Sequence, residues 1–162
     1  MNAPQSAQHL FETRLVWTGA VKGGSTSYET YSREYRLDLK GKPSIRGTAA
    51  PVYRGDPSLP NPEDLLVASL SACHFLSYVA LCSRAGINVI AYEDEAEGTM
   101  DKVDRVERFT EVRLRPKVTV APGSDPEKAR ALHERAHAIC FIANSVNFPV
   151  RNEPTITVAA PV

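Results

Sequence analysis

The widest apolar pattern in the chain runs from Leu65 to Leu81, where branched, aromatic and small apolar residues cover more than one stripe of a helix. Ahead of it, Asn61 can cap, Pro62 suits the first helical position, and Glu63 and Asp64 favour the positive end of the dipole. Gly86 supplies the stop. The expected helix, Pro62 to Ala85, is about 36 Å long at 1.5 Å per residue. An apolar surface this broad predicts a central helix with protein on several sides.

Before it, Phe11 to Val21 and Ser27 to Leu39 carry aromatic and branched residues around Lys22-Gly23-Gly24-Ser25, the signature of a β-hairpin. Ser44 to Val52 adds a third strand, and residues 53–60 form a loop rich in charge and proline. Two longer strands, Asn88 to Met100 and Arg105 to Val120, flank the turn Asp101-Lys102-Val103-Asp104. A second helix is expected from Pro126 to about Asn144, capped by Ser124 or Asp125, and a short strand from Thr155 to Ala159 closes the chain. The alternation of strands, helix, strands, helix and strand is an α+β pattern. It predicts a single domain over residues 1–162 with a flexible tail at about residues 1–9.

Composition removes several function classes. The 162 residues hold 19 basic and 19 acidic side chains, so no basic excess marks a nucleic-acid partner, and no basic amphipathic helix marks a membrane surface. The N-terminus has no basic head followed by an apolar run, which makes cytoplasmic the expected address. The long apolar stretch is interrupted by Ser69, Ser71, Cys73, His74, Ser77 and Tyr78, so it reads as a helix within protein rather than a bilayer span. Three cysteines are too few for a disulfide scaffold, so any disulfide is expected to be transient.

Candidate chemistry centres on Cys73, close to the midpoint of the long helix. A buried cysteine is commonly a small hydrophobe, and Cys82 keeps that reading. Cys140 shares a helical face with His133 and His137, at spacings of four and three residues. With Cys73 or His74, that face offers thiolate and imidazole ligands suited to zinc, although no Cys-x-x-Cys pair accompanies it. Tyr28, Tyr31, Tyr35 and Tyr53 read as strand packing.

The segment Asn61-Pro62-Glu63-Asp64-Leu65-Leu66-Val67-Ala68-Ser69-Leu70-Ser71-Ala72-Cys73-His74 resembles the first-cysteine motif of the OsmC/Ohr family. The family's second cysteine lies on a later helix shortly before the last strand, and Cys140 is similar in place. The resemblance spans about Trp17 to Ala159. One departure is Phe141-Ile142-Ala143, where the best-known members have Pro-Val-Ser, which marks a different subgroup. The resemblance implies an antiparallel sheet with a long central helix in an intertwined homodimer. It also implies a peroxidase in which Cys73 attacks an organic hydroperoxide and becomes sulfenic acid, and Cys140 closes a disulfide with it. No cofactor is implied; a thiol reductant, of lipoyl type, is.

The family holds an arginine with a glutamate to stabilise the thiolate. Glu63 matches the glutamate and Arg54 is the best match for the arginine, with Arg33 on the early hairpin as runner-up. Glu63 precedes Cys73 by ten residues and so lies about 15 Å away along a straight helix, which excludes direct contact. Either Arg54 spans that gap, or Arg54 and Glu63 serve the Cys73 of a partner chain.

Overall fold

The computed structural model describes residues 8–161, so most of the expected tail lies outside the described residues. The chain separates into two compact units, with the boundary between Pro62 and Glu63.

The N-terminal unit is built on a three-stranded antiparallel sheet of β1 (Thr13–Trp17), β2 (Tyr35–Leu39) and β3 (Ile45–Gly47), in the order β1-β2-β3. The expected hairpin pairs as β1 with β2, with Thr13 opposite Leu39 and Trp17 opposite Tyr35. Its connection is far longer than the glycine-rich turn, because Thr18–Lys22 forms a 3-10 turn and β2 begins only at Tyr35. Residues 51–53, expected at the end of a strand and the start of a loop, form a second 3-10 turn opened by Pro51. Arg54 ends that turn with φ 67, a left-handed conformation that a side chain disfavours. A Cβ on Gly55 would stand 1.5 Å from the Ala49 carbonyl oxygen, so this loop closes only on glycine.

The C-terminal unit opens with α1 (Pro62–Arg84), ended by Gly86 at φ +73 as the sequence predicts. Four strands follow: β4 (Val89–Asp94), β5 (Glu97–Val103), β6 (Val106–Leu114) and β7 (Pro116–Val120). Both expected long strands are thus broken, the first at Glu95-Ala96 and the second before Pro116, which has no N–H for a continuous ladder. The β5–β6 turn falls on Asp104 and Arg105, both at positive φ. β4 pairs β7 and β5 pairs β6, all antiparallel.

Next come α2 (Pro126–Ile139), a 3-10 turn at Ala143–Ser145, and two short strands, β8 (Val150–Asn152) and β9 (Thr155–Val158). β8 joins β6 and β9 joins β7, both in parallel, so the sheets are mixed rather than wholly antiparallel. The parallel pairing follows from the crossover, since α2 carries the chain from the end of β7 back to the start of β9. α2 ends before Cys140, five residues short of the expected Asn144.

Two apolar clusters hold this unit. Tyr78 and Cys82 pack with Val118, Val120, Ala129, Leu132 and Ala136; Leu70 packs with Val112 and Leu114. Only Leu70, His74, Tyr78 and Cys82 of α1 are fully buried, one residue per turn. Among the described residues, full cover of α1 is therefore confined to this one stripe, where the sequence predicts cover on several sides. By length and composition α1 could cross a membrane, yet only 22% of its apolar window is buried. Asp125 caps α2 by accepting hydrogen bonds from the Glu127 and Lys128 amides at 3.0 and 3.1 Å. Asp125→Ala is expected to lower unfolding stability by about 1 kcal/mol in urea titrations; an unchanged midpoint would mean the cap is dispensable.

Candidate functional site

Cys73 occupies the middle of α1 and is half-buried, whereas Cys140 follows the last residue of α2 and is 1% exposed. Residues far apart in sequence are brought together here: both cysteines are free thiols, and their side chains are close enough to interact. A small diffusing molecule can reach the first and not the second.

The Cys140 backbone is pinned. The Asn144 side-chain amide donates to the Cys140 carbonyl at 2.8 Å and to the Ala138 carbonyl at 3.1 Å. The Asn144 amide N–H donates to the same Cys140 carbonyl at 3.0 Å, and the Cys140 N–H donates to the His137 carbonyl at 3.2 Å. Backbone N–H groups of Ala143 and Ile142 reach the Cys140 sulfur and favour its thiolate, but burial outweighs them and pushes the thiol up to about 11. Cys140 is therefore a thiol, not a thiolate, at neutral pH.

Cys73 is held from the other side. Two residues before it, the Ser71 hydroxyl donates to Asp94 at 2.5 Å, and the other Asp94 oxygen accepts the Arg115 N–H at 2.7 Å. One residue after it, buried His74 places Nε2 2.9 Å from Nδ1 of buried His133 on α2. Tyr78 stacks on His133 at 3.8 Å between ring centroids. Burial lowers His74 to about 4 and His133 to about 3, so both are neutral imidazoles. Asp94 opposes this shift at His74 and His137 adds to it, while His74 and Arg130 add to it at His133.

Cys82 lies in the apolar cluster beside the Tyr78 hydroxyl, and burial pushes its thiol up, which makes it an inert core side chain. The zinc alternative fails on geometry, since no three His, Cys, Asp or Glu side chains among the described residues converge to hold a metal. His133 is instead committed to His74, and Cys140 has left the helical face that the spacing assumed.

Glu63, in the first turn of α1, is half-buried with Oε2 enclosed and unpartnered. The two candidate arginines belong to the N-terminal unit. Arg54 is exposed, with its guanidinium 5.9 Å from the Tyr28 ring. Arg33 is fixed more tightly: Nη1 and Nη2 donate to the Tyr31 and Tyr28 carbonyls at 2.5 Å, and the guanidinium lies 3.8 and 4.8 Å from the two rings. Its Nε is buried and unpartnered. Tyr28 and Tyr31, expected as strand packing, thus form an arginine holder outside any strand. The spacing Tyr28-x2-Tyr31-x-Arg33 was the available signal.

The family described as OsmC-like protein matches residues 55–155. The peroxiredoxin OsmC of Escherichia coli is 27% identical over 127 residues, covering 78% of this chain and 82% of that protein. The solved structure of an OsmC-like protein of unknown function from Vibrio cholerae has a TM-score of 0.83 at 28% identity, covering 91% of this chain and all of the other. An organic hydroperoxide resistance protein from Elizabethkingia anophelis shares the fold, with a TM-score of 0.69 at 19% identity over 96% of this chain and 100% of its own.

The histidine pair makes stability depend on pH. Below about pH 6.5 an unfolded histidine binds a proton that folded His74 and His133 refuse until about pH 4 and 3. Unfolding then takes up protons, so stability is complete above pH 6.5 and falls as the pH drops towards those folded values. Between pH 7 and 5, wild type is expected to lose more of its urea midpoint than a His74→Phe/His133→Phe variant. Equal losses would assign the acid sensitivity to other groups.

Proposed function

The chain belongs to the OsmC-like protein family, and from that premise we propose that it is a thiol peroxidase that reduces organic hydroperoxides to alcohols. The observation that carries the reading is the contact between a half-exposed Cys73 and a buried, protonated Cys140. The names of the E. coli and Elizabethkingia relatives support a peroxidase role in general.

In the proposed cycle, the Cys73 thiolate attacks one peroxide oxygen. An S–O bond forms, the O–O bond breaks, and the alkoxide leaves as alcohol after taking a proton. Cys73 is then a sulfenic acid. The Cys140 thiol attacks its sulfur: the S–S bond forms, the S–O bond breaks, and the hydroxide leaves as water with the thiol proton. A dithiol reductant, of lipoyl type by resemblance, reopens the disulfide by exchange. Burial of Cys140 keeps it from reacting with peroxide directly, so the order of events follows from accessibility.

A homodimer completes the proposal. Ala68, Ala72, Phe75, Leu76 and Ala80 form an exposed apolar stripe on α1, with Leu76 66% exposed. A second copy is the natural cover, and the exposed Phe141 beside Cys140 suits an organic substrate. Arg33 or Arg54 of a partner chain, with Glu63, would supply the cation that a Cys73 thiolate needs. Arg33 has the stronger support, because its head is already immobilised and one N–H is unused.

With cumene hydroperoxide and a dithiol, Cys73→Ser is expected to fall to background turnover. Cys140→Ser should still undergo one stoichiometric oxidation at Cys73, with no Cys73–Cys140 disulfide by mass spectrometry. Turnover retained in Cys73→Ser would overturn the reading. For the shared site, mixing Cys73→Ser with Arg33→Ala chains should restore activity that neither has alone, in proportion to the heterodimer formed. No recovery there, with recovery in the matching Arg54→Ala mixture, would move the role to Arg54.

A further inference from the structure

We propose that the hydrogen bond between His74 Nε2 and His133 Nδ1 is a positioning device that sets the register of α1 against α2, and thereby the rate at which Cys140 closes on oxidised Cys73. The inference rests on the peroxidase reading above and adds to it two residues that never touch the peroxide.

Each of the two helices brings one histidine to the bond and leads to one cysteine of the pair. On α1, His74 adjoins Cys73; on α2, His133 lies two turns before Cys140. The apolar contact is made further along, where Tyr78 and Cys82 share a cluster with Ala129, Leu132 and Ala136. Alanines allow close approach, but apolar packing is non-directional and tolerates sliding. A hydrogen bond at 2.9 Å does not: a slip of one residue moves a helix about 1.5 Å, which breaks it. Tyr78, stacked at 3.8 Å, stops the His133 ring from turning away.

The bond is also self-consistent chemically. Each imidazole is neutral and carries one proton, so the bond forms when either His74 Nε2 or His133 Nδ1, and not both, carries it; the other ring nitrogens, His74 Nδ1 and His133 Nε2, are buried without a partner. Burial at 1% and 2% exposure leaves no water to compete. The groups facing the pair are Asp94 from β4, His137 and Arg130 on α2, and Tyr78 on α1. None of them offers the same bond.

Disulfide closure needs this precision because the Cys140 sulfur must approach in line with the breaking S–O bond, and an error near 1 Å can slow such a step about a hundredfold. Attack of Cys73 on a freely diffusing peroxide has no such demand on α2. The two steps should therefore respond differently to the same substitution.

The test exploits the geometry of side-chain amides. Asparagine places a polar atom near where histidine has Nδ1, and glutamine near where it has Nε2. His133→Asn and His74→Gln can keep the bond, whereas His133→Gln and His74→Asn misplace it. After a single dose of cumene hydroperoxide, trapping with dimedone reads formation of the Cys73 sulfenic acid, and mass spectrometry reads its conversion to the Cys73–Cys140 disulfide. All four variants should form sulfenic acid at the wild-type rate. Closure should slow about tenfold or more in His133→Gln and His74→Asn and stay within about threefold of wild type in the other two. Urea midpoints place all variants on one stability scale, so that slowing which tracks stability alone, without the crossed pattern, overturns the proposal. Wild-type closure in all four would also overturn it. If wild type itself forms no Cys73–Cys140 disulfide, the peroxidase reading fails first, and the two failures remain distinct.

Discussion

The contact between Cys73 and Cys140 is the constraint on which the C-terminal unit depends. One thiol comes from the middle of a long helix, and the other from the residue that ends a helix four strands later. Bringing them together requires the crossover that carries the chain from β7 through α2 to β9, and it requires both local backbones to be fixed. Ser71 bound to Asp94 secures one side, and Asn144 bound to two carbonyls secures the other. Neither anchor includes a cysteine side chain, so the thiols remain free to change oxidation state without dismantling what holds them.

The buried titratable groups around the pair keep their uncharged forms. His74 and His133 are neutral, Cys140 is protonated, and burial raises Tyr78 and Tyr92 away from ionisation. Each shift has the same leading cause, loss of water, and each favours the form without charge. Such surroundings suit a resolving thiol that must stay dormant until a sulfenic acid forms beside it. A peroxidatic thiolate needs a cation beside it, and the proposed function looks for that cation in Arg33 or Arg54 of a partner chain.

How much of this was legible in the sequence follows from the range of the interactions involved. The long helix reads almost to the residue, because Pro62 at its start and Gly86 after its end are local signals. The end of α2 does not, since residues 140–144 continue a helical pattern and only the tertiary position of Asn144, turned back on Cys140, shows the stop. The break before Pro116 was visible in principle, as proline cannot continue a ladder. The parallel β8 and β9 were not, because three- and four-residue strands carry too little periodicity. The zinc reading failed for a related reason: spacing along one helix tests which side chains share its face, and says nothing about a histidine on another helix that claims one of them. The same blindness hid the His74–His133 bond, although both residues stood in plain view.

The surface of α1 is inverted relative to an ordinary amphipathic helix. Its buried stripe, Leu70, His74, Tyr78 and Cys82, contains an imidazole, a hydroxyl and a thiol, while its most exposed stripe is Ala68, Ala72, Phe75, Leu76 and Ala80. A helix of this composition suits a bilayer, a core or a seam between two chains equally well by hydropathy alone. The placement of its polar atoms separates these cases. Lipid would leave backbone and apolar side chains content, but it offers nothing to Ser71 and His74, which find their hydrogen-bond partners on β4 and α2 within the same unit. With those partners already met inside, the outward face needs only dry, close-fitting apolar cover. The homodimer of the proposed function would provide it with a second copy of the helix, since Ala68, Ala72 and Ala80 would let two backbones approach and the large Phe75 and Leu76 side chains would fill the space beside them. The apolar breadth that makes α1 look overdesigned for one chain is what the proposed pair of chains would require, and in that pair the half-exposed Cys73, next to Ala72 on the exposed stripe, would be open to a residue from either chain.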